Sequence, residues 1–270
     1  MRIGIFDSGI GGLTVLAALR RAAPDHEMLY LGDTARIPYG TRSASTVVRY
    51  SLTVASYLHR EGVDALVIAC NTASTHALPA LRHAGAKVGL PVFGVVEPGV
   101  EAALDGHPGG AIAILGTQGT VAGGAYQASL ARRAPHLRVE AVACPLFVPL
   151  VEEGWLDGEV PRLVAENYLS HLKGRVGTAI LGCTHYPLLA PIIQSVLPGV
   201  RLVDSATATA TAVARATGPG TSGGGGISYR VTDNVARFHQ VGSRFLGHPP
   251  HPVDWVDLGP AVSPFAPEVA

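Results

Sequence analysis

The sequence predicts an α/β protein made of two pseudo-symmetric domains, each built on a parallel β-sheet. Two observations lead to this prediction. Short apolar runs typical of buried strands alternate with longer segments of helical periodicity. This alternation also restarts midway along the 270 residues, a length that suffices for two ordinary domains.

The first 95 residues follow a βαβα order. Strands are predicted at Ile3–Phe6, Met28–Leu31, Ala65–Ala69 and Val92–Val95, and helices at Gly12–Ala22, Ser43–Arg60 and Thr75–His83. Each predicted strand is apolar along its whole length, whereas a strand with one solvated face would alternate. The sheet is therefore expected to be parallel and covered on both faces.

The second half of the chain repeats features of the first. Ala111–Leu115 resembles the first strand, and both are followed by a polar, glycine-rich loop. The run at 65–72 resembles the run at 178–185, and each leads into a helix that contains a proline. We interpret this similarity as an internal duplication. It places Cys70 and Cys183 at the carboxyl ends of equivalent strands.

The C-terminal part has weaker signals. Gly218–Gly226 is rich in glycine and is predicted to be a flexible loop. A strand is predicted at Ile227–Val231 and a helix at Asn234–Phe245, with Asp233 as its N-cap. The proline-rich tail from His248 is expected to be extended.

The composition disfavours several classes of protein. The 20 basic and 20 acidic residues balance, so nothing favours nucleic acid or an anionic membrane as a partner. The charge-poor stretches at 106–131 and 176–200 contain glycines, prolines and polar residues, so they are interpreted as buried strands with loops rather than membrane spans. Three cysteines without a signal peptide predict reduced thiols in the cytoplasm.

Cys70 and Cys183 are the leading candidates for chemistry. Ligands of parallel α/β sheets bind outside the carboxyl ends of the strands, where both cysteines are predicted. A helix that starts directly after a cysteine lowers the pKa of its thiol, and we expect this at both positions. The neighbours Asn71–Thr72 and Thr184–His185 can donate hydrogen bonds to a carboxylate. Cys144 is expected to be a small buried apolar residue.

Dinucleotide and metal sites are both disfavoured. The loop Gly9–Gly12 resembles a dinucleotide-binding loop, but Thr14 stands where the third glycine is needed, and Asp7 adds a negative charge where a pyrophosphate would lie. Cysteines and nearby histidines could in principle bind a metal, but the sequence has no Cys-x-x-Cys pair. No metal is therefore expected.

Pyridoxal phosphate is also disfavoured. This cofactor needs a lysine for its Schiff base, and the chain has only Lys87 and Lys173. Both are predicted in turns before strands, at the edge of the sheet opposite the cysteines. No cofactor is therefore expected.

Six motifs resemble those of glutamate racemases, which belong to the cofactor-independent aspartate and glutamate racemases. In order, they are Asp7–Gly12, Asp33–Gly40, Ala69–Ser74, Glu97–Gly99, Cys144–Glu152 and Leu181–Leu189. They span about residues 3–206 of the chain. Pro38–Gly40 and Cys144–Glu152 favour a glutamate enzyme over an aspartate enzyme.

The resemblance implies a fold and a function. Two domains, residues 1–95 with 206–270 and residues 96–205, are expected to hold the substrate between them. The reaction would interconvert L- and D-glutamate without a cofactor, in the cytoplasm, and supply D-glutamate for peptidoglycan. Family members differ in how they dimerise, so a homodimer is left open. Because the first strand begins at residue 2 or 3, activation by a cell-wall precursor is not expected.

The resemblance also implies site residues. The candidate catalytic residues are Cys70, Cys183, Asp7, His185 and Glu152. The candidate substrate-binding residues are Asp7, Ser8, Tyr39, Gly40, Asn71, Thr72, Thr117, Thr184 and His185. Cys70 would act on the D-enantiomer and Cys183 on the L-enantiomer, because inversion at Cα needs a base on one face and an acid on the other.

Two alternative functions stay open at this stage. One is a racemase specific for aspartate or a related amino acid. The other is a module that binds a carboxylate or a metal without catalysis.

Overall fold

The computed structural model describes residues 1–220 and 225–266, which contain two separate β-sheets. The strands are β1 (Arg2–Asp7), β2 (Glu27–Gly32), β3 (Ala65–Ile68), β4 (Val92–Gly94), β5 (Ala111–Gly116), β6 (Val139–Ala143), β7 (Val176–Gly182), β8 (Arg201–Asp204), β9 (Ile227–Val231) and β10 (Val253–Trp255). The helices are α1 (Leu13–Ala22), α2 (Ala44–Arg60), α3 (Asn71–Ala86), α4 (Val96–Leu104), α5 (Gln118–Gly123), α6 (Ala125–Arg133), α7 (Phe147–Glu153), α8 (Glu159–Leu169), α9 (Ala190–Val196), α10 (Ser205–Thr217) and α11 (Val235–Leu246).

The two sheets repeat one strand order. The first sheet runs β10-β9-β2-β1-β3-β4 and the second runs β6-β5-β7-β8. The four strands β2-β1-β3-β4 therefore correspond in order to β6-β5-β7-β8, and every neighbouring pair is parallel. Cys70 follows β3 and Cys183 follows β7, which occupy equivalent places. The predicted fold class of two parallel-sheet α/β domains is confirmed.

Both faces of each sheet are covered by helices, which explains the continuously apolar strands. In β3, Leu66 and Ile68 belong to the core on one side of the sheet, whereas Val67 belongs to the core on the other side. In β5, Leu115 and Ile114 divide between two cores in the same way. All five side chains are fully buried, and each such burial contributes roughly 1.5–3 kcal/mol.

The helix after Cys70 begins earlier than predicted. The sequence predicted its start at Thr75, but α3 begins at Asn71. The reason is that Cys70 is the N-cap, and its Sγ accepts a hydrogen bond from the backbone N–H of Ala73 at 3.5 Å. The cap draws Asn71 and Thr72 into the first helical turn.

Cys183 does not precede a helix directly, so the expectation of a helix N-terminus at both cysteines is wrong at this one. A 3₁₀ turn at Tyr186–Leu189 intervenes, and α9 begins only at Ala190. Pro187 and Pro191 each lie near the start of one of these segments, where a missing backbone N–H costs little. The two halves therefore diverge immediately after their cysteines.

The C-terminal strand at Ile227–Val231 is confirmed, and it extends the first sheet by pairing with β2. The predicted N-cap of α11 is wrong, because Asn234 rather than Asp233 accepts a hydrogen bond from the backbone N–H of Arg237. The tail is also not merely extended, since Val253–Trp255 pairs with β9 as an edge strand. In the predicted flexible loop, residues 221–224 lie outside the described residues.

The chain passes between the sheets through two helices that pack on each other. Val96 and Val100 of α4 contribute to the core of the second sheet, and Ala206 and Ala210 of α10 contribute to that of the first. The domain boundaries at residues 95 and 206 stay a prediction. Within residues 1–220 and 225–266, no helix is both long and apolar enough to cross a membrane.

Candidate active site

A cavity of about 380 Å³ lies where the carboxyl ends of the two sheets face each other. The first sheet and its loops contribute Ser8, Gly9, Ile37, Pro38, Tyr39, Gly40, Thr41, Cys70, Asn71 and Thr72, and the second contributes Thr117, Gln118, Pro145, Val148, Pro149, Glu152, Cys183, Thr184 and His185. Every candidate site residue from the sequence lines this cavity except Asp7. Asp7 is buried at the end of β1, next to the lining residue Ser8.

Cys70 lies on the wall formed by the first sheet. Its thiol donates a hydrogen bond to Ser8 Oγ at 3.3 Å. Burial, and then the nearby carboxylate of Asp7, raise the pKa of this thiol to about 12. The sequence predicted a lowered pKa from the N-terminus of α3, and that expectation is wrong. Loss of hydration outweighs the single backbone N–H that the helix offers.

Asp7 places a carboxyl group behind Cys70. Its Oδ2 accepts a hydrogen bond from the backbone N–H of Gly9 at 2.9 Å. Burial raises the pKa of Asp7, and the opposing attraction of His185 only partly offsets this effect. The carboxyl group is therefore more easily protonated than an exposed aspartate.

A chain of three polar groups extends from Cys183 on the opposite wall. Cys183 Sγ lies 4.0 Å from His185 Nδ1, and His185 Nε2 lies 3.1 Å from Glu152 Oε1. Burial lowers the pKa of His185, but its contacts with Cys183 and Glu152 outweigh this effect and raise the pKa to about 10. Burial raises the pKa of Glu152, yet hydrogen bonds from His185 and Arg237 leave it below its ordinary value.

The two walls therefore present unequal partners at neutral pH. Cys70 is a neutral thiol, because its pKa lies far above 7. Cys183 lies beside a protonated imidazole. The two thiols thus line one cavity, with Asp7 beside Cys70 and His185 beside Cys183.

Asn71 offers an unpaired hydrogen-bond donor to the cavity that it lines. Tyr126 donates a hydrogen bond to its Oδ1 at 2.6 Å. Its Nδ2 is buried and has no hydrogen-bond partner. A buried amide without a partner is costly, so this group is suited to binding an anionic ligand.

Three hydroxyl groups join the two sheets beside Asn71. Thr72 Oγ1 lies 2.8 Å from Thr117 Oγ1 and 3.2 Å from Thr120 Oγ1. Thr72 and Thr117 line the cavity. Each hydroxyl can both donate and accept, so the cluster can turn its hydrogens towards a ligand.

A buried ion pair holds the loop that carries Tyr39 and Gly40. Asp33, which is fully buried, accepts hydrogen bonds from Tyr39 Oη at 2.5 Å and from Arg36 Nε at 2.7 Å. A side chain at Gly40 would come within 2.8 Å of Thr117. The loop therefore lies tightly against the second sheet, with its backbone at the cavity.

In the part of the chain that the structure describes, metal-ligating side chains do not cluster, and the two lysines lie away from the cavity. Among the residues that the structure describes, no three His, Cys, Asp or Glu side chains form a group able to hold a metal ion. Lys87 lies at the C-terminal end of α3, and Lys173 follows the 3₁₀ turn at Ser170–Leu172. Neither lysine lines the cavity.

Comparison with known proteins identifies the family. The family model for Asp/Glu/hydantoin racemases matches residues 13–213. The chain belongs to this racemase family. It is 49% identical to the glutamate racemase of Aquifex aeolicus over 93% of this chain and 96% of that relative. The resemblance seen in the sequence motifs is therefore confirmed.

Solved structures of glutamate racemases have the same fold as this racemase. The enzyme from Thermus thermophilus, in complex with β-chloro-D-alanine, superposes with a TM-score of 0.85 at 47% identity and covers 95% of this chain and 97% of its own. The enzyme from Francisella tularensis, in complex with D-glutamate, has a TM-score of 0.88 at 32% identity and covers 96% of this chain and 98% of its own.

Some residues around the site of this racemase escaped the sequence analysis. Gln118 and Pro145 line the cavity, and their lining role has no recognisable local signal. Arg237 and Phe245, on α11, contact Glu152 and His185 respectively. No spacing rule connects α11 to residues so far away along the chain.

Proposed function

We propose that this racemase interconverts L- and D-glutamate by moving protons between two cysteines, without a cofactor. One observation carries the proposal: Cys70 and Cys183 follow equivalent strands of the two sheets and line one cavity from opposite sides. The identity to glutamate racemases over nearly the whole chain supports glutamate as the substrate.

The proposed proton transfers start with Cys183, beside the His185 cation, as the thiolate and with Cys70 as the thiol. With L-glutamate bound, the Cys183 thiolate takes the proton from Cα, and the Cα–H electron pair remains on the substrate as a carbanion. The Cys70 thiol then gives its proton to the opposite face, which yields D-glutamate. Cys183 is now a thiol and Cys70 a thiolate, so the site is ready for D-glutamate. His185 and Asp7, which lie next to the two cysteines, are the groups suited to exchange protons with them.

The polar lining residues are suited to hold the amino acid. The unpaired Nδ2 of Asn71 and the hydroxyls of Thr72, Thr117 and Thr184 would bind the groups at Cα, with Ser8 close by. The backbone N–H groups at Tyr39–Gly40 would bind the distal carboxylate. The reaction would take place in the cytoplasm and would supply D-glutamate for the synthesis of peptidoglycan.

The purified protein is expected to racemise glutamate after exhaustive dialysis and in the presence of EDTA. The physical reason is that both proton carriers are side chains of the chain itself. Circular dichroism of L- and D-glutamate solutions measures the reaction in each direction. Loss of activity with EDTA that zinc restores would contradict the two-thiol mechanism, and binding of glutamate without turnover would indicate a non-catalytic module.

Glutamate is expected to be strongly preferred over aspartate. Aspartate lacks one methylene, so its distal carboxylate falls short of the Tyr39–Gly40 backbone. A missing methylene alone is worth roughly 1–3 kcal/mol, or roughly 10- to 200-fold in kcat/KM, and the misplaced carboxylate adds to this loss. Parallel assays of both amino acids measure the ratio. Equal or faster turnover of aspartate would identify an aspartate racemase instead.

A further inference from the structure

We propose that Arg237 is a positioning residue that keeps the Glu152 carboxylate ionised and aligned on His185. The proposal rests on the proposed function, since it assigns a role within the same proton-transfer machinery. It adds a residue from α11, a helix that contributes no lining residue, to the surroundings of the cavity.

The geometry connects four side chains in a row. His185 contacts Glu152 Oε1 at 3.1 Å, and Arg237 donates a hydrogen bond from Nη2 to Oε2 of the same carboxylate at 3.1 Å. Each carboxylate oxygen thus has a separate cationic partner. Arg237 does not line the cavity, so it acts on the substrate only through Glu152, His185 and Cys183.

The C-terminal helix is anchored to both halves of the molecule around this carboxylate. Arg244 donates a hydrogen bond to the backbone carbonyl of Glu152. Phe245 packs against the cores of both sheets, and its ring meets the His185 ring edge-on with the centroids 5.4 Å apart. Gly154, which ends α7 in a left-handed conformation, leaves the space that the Arg244 guanidinium occupies.

The ion pair is not expected to matter much for stability. The Arg237 side chain is 40% exposed, and ion pairs with an exposed partner typically contribute little to stability. The Glu152 side chain, in contrast, is only 15% exposed. The main effect of the Arg237 cation at Glu152 Oε2 is therefore to favour the ionised form of the carboxylate.

Several charged groups act on Glu152, and their signs are opposed. His185 and Arg237 favour the ionised form. Asp7 lies close enough for its charge to repel that of Glu152. Glu153 competes for Arg237 at 3.2 Å. Removing Arg237 takes away one of the two cations that bond to the carboxylate, so the pKa of Glu152 should rise. Arg244 remains, but it bonds to the backbone carbonyl of Glu152 rather than to the carboxylate.

The sign of the pH effect follows from this balance. The ionised Glu152 raises the pKa of the buried His185 and so supports the charge beside Cys183. Activity should therefore fall as the pH drops through the pKa of Glu152. If loss of Arg237 raises that pKa, the acidic limb of the activity profile moves towards neutral pH. Removing the competitor Glu153 should move the acidic limb the opposite way, because Arg237 then bonds to Glu152 alone.

The test compares Arg237→Gln, Arg237→Lys and Glu153→Gln, with Arg162→Gln as the matched control. Arg162 forms an exposed ion pair with Glu166 on α8, away from the cavity. Two quantities are measured against pH, namely kcat/KM for glutamate and the rate at which iodoacetamide alkylates Cys183, followed by mass spectrometry. The second readout does not require racemase activity.

We expect Arg237→Gln to move the acidic limb of both profiles upward by about half a unit or more, with a loss mainly in kcat. Arg237→Lys should restore most of the shift, and Arg162→Gln should leave both profiles unchanged. The inference is overturned if Arg237→Gln and Arg162→Gln give the same acidic limb in both readouts, or if Lys fails to restore the shift. A wild-type protein without racemase activity would instead refute the proposed function, while the alkylation profile still decides the role of Arg237.

Discussion

Replacing either Cys70 or Cys183 by alanine is expected to reduce glutamate racemisation by roughly a thousandfold or more, since one positioned acid or base alone contributes about 10²–10⁴-fold. Inversion needs a proton removed from one face and another delivered to the opposite face, so each single change disables the whole reaction. Fold and substrate binding should survive, because each variant loses one sulfur atom at a cavity wall.

The single variants should still differ in heavy water. Cys70→Ala retains Cys183 and should exchange the Cα hydrogen of L-glutamate, whereas Cys183→Ala retains Cys70 and should exchange that of D-glutamate. NMR of the recovered amino acid measures the deuterium. Cys144→Ala is the matched control, because Cys144 is equally buried but does not line the cavity. Racemisation by Cys70→Ala near the wild-type rate would refute the mechanism.

Replacing His185 by asparagine is expected to lower racemisation by about 10²–10⁴-fold. His185 places a positive charge 4.0 Å from Cys183 Sγ, and asparagine removes that charge while keeping a short polar side chain. Cys183 should then spend less time as a thiolate, and iodoacetamide should alkylate it at least about tenfold more slowly at neutral pH. Stopped assays and mass spectrometry measure the two effects.

The pH dependence of racemisation provides a second test of the His185 charge. The pKa of His185 is raised to about 10, so its charge is fully present at neutral pH and is lost as the pH rises through that value. The wild-type profile should therefore fall at high pH, and the variant should lack this limb. His107→Asn is the control, because His107 also bonds to β7, through Thr178, but away from the cavity. If iodoacetamide alkylates Cys183 in the His185→Asn variant at the wild-type rate, the His185 charge does not stabilise the Cys183 thiolate, and this role is refuted.

The fold was predictable where local pattern and burial agree. Strands such as Ala65–Ile68 were found because both faces of the sheet are covered, so their apolar runs are continuous. Val253–Trp255 was missed, because a three-residue edge strand preceded by prolines depends on its partner β9 rather than on its own propensity. The cap at Asn234 was missed for a related reason, since Asp233 and Asn234 are both good caps and only the backbone geometry chooses between them.

Most residues that line the candidate site could be predicted from the sequence, but their electrostatics could not. Cys70 and Cys183 were identified by their place after equivalent strands and by the family motifs. The raised pKa of Cys70 depends on how deeply it is buried beside Asp7, which no sequence pattern reports. Arg237 lies 85 positions after Glu152 in the chain, so only the folded structure brings the two side chains together.

The chain order of the first sheet has a consequence for synthesis on the ribosome. The strands β1 to β4 come from the first 94 residues, but β9 and β10 come after residue 226. A nascent chain that has emerged as far as α10 holds both cysteines, yet the edge of β2 that pairs with β9 is still bare. An unpaired strand edge can pair with another chain. Misassembly is therefore favoured between the synthesis of α10 and that of β9. The same late segment brings Arg237, Arg244 and Phe245, so their contacts with Glu152 and His185 form only after residue 245 has been synthesised.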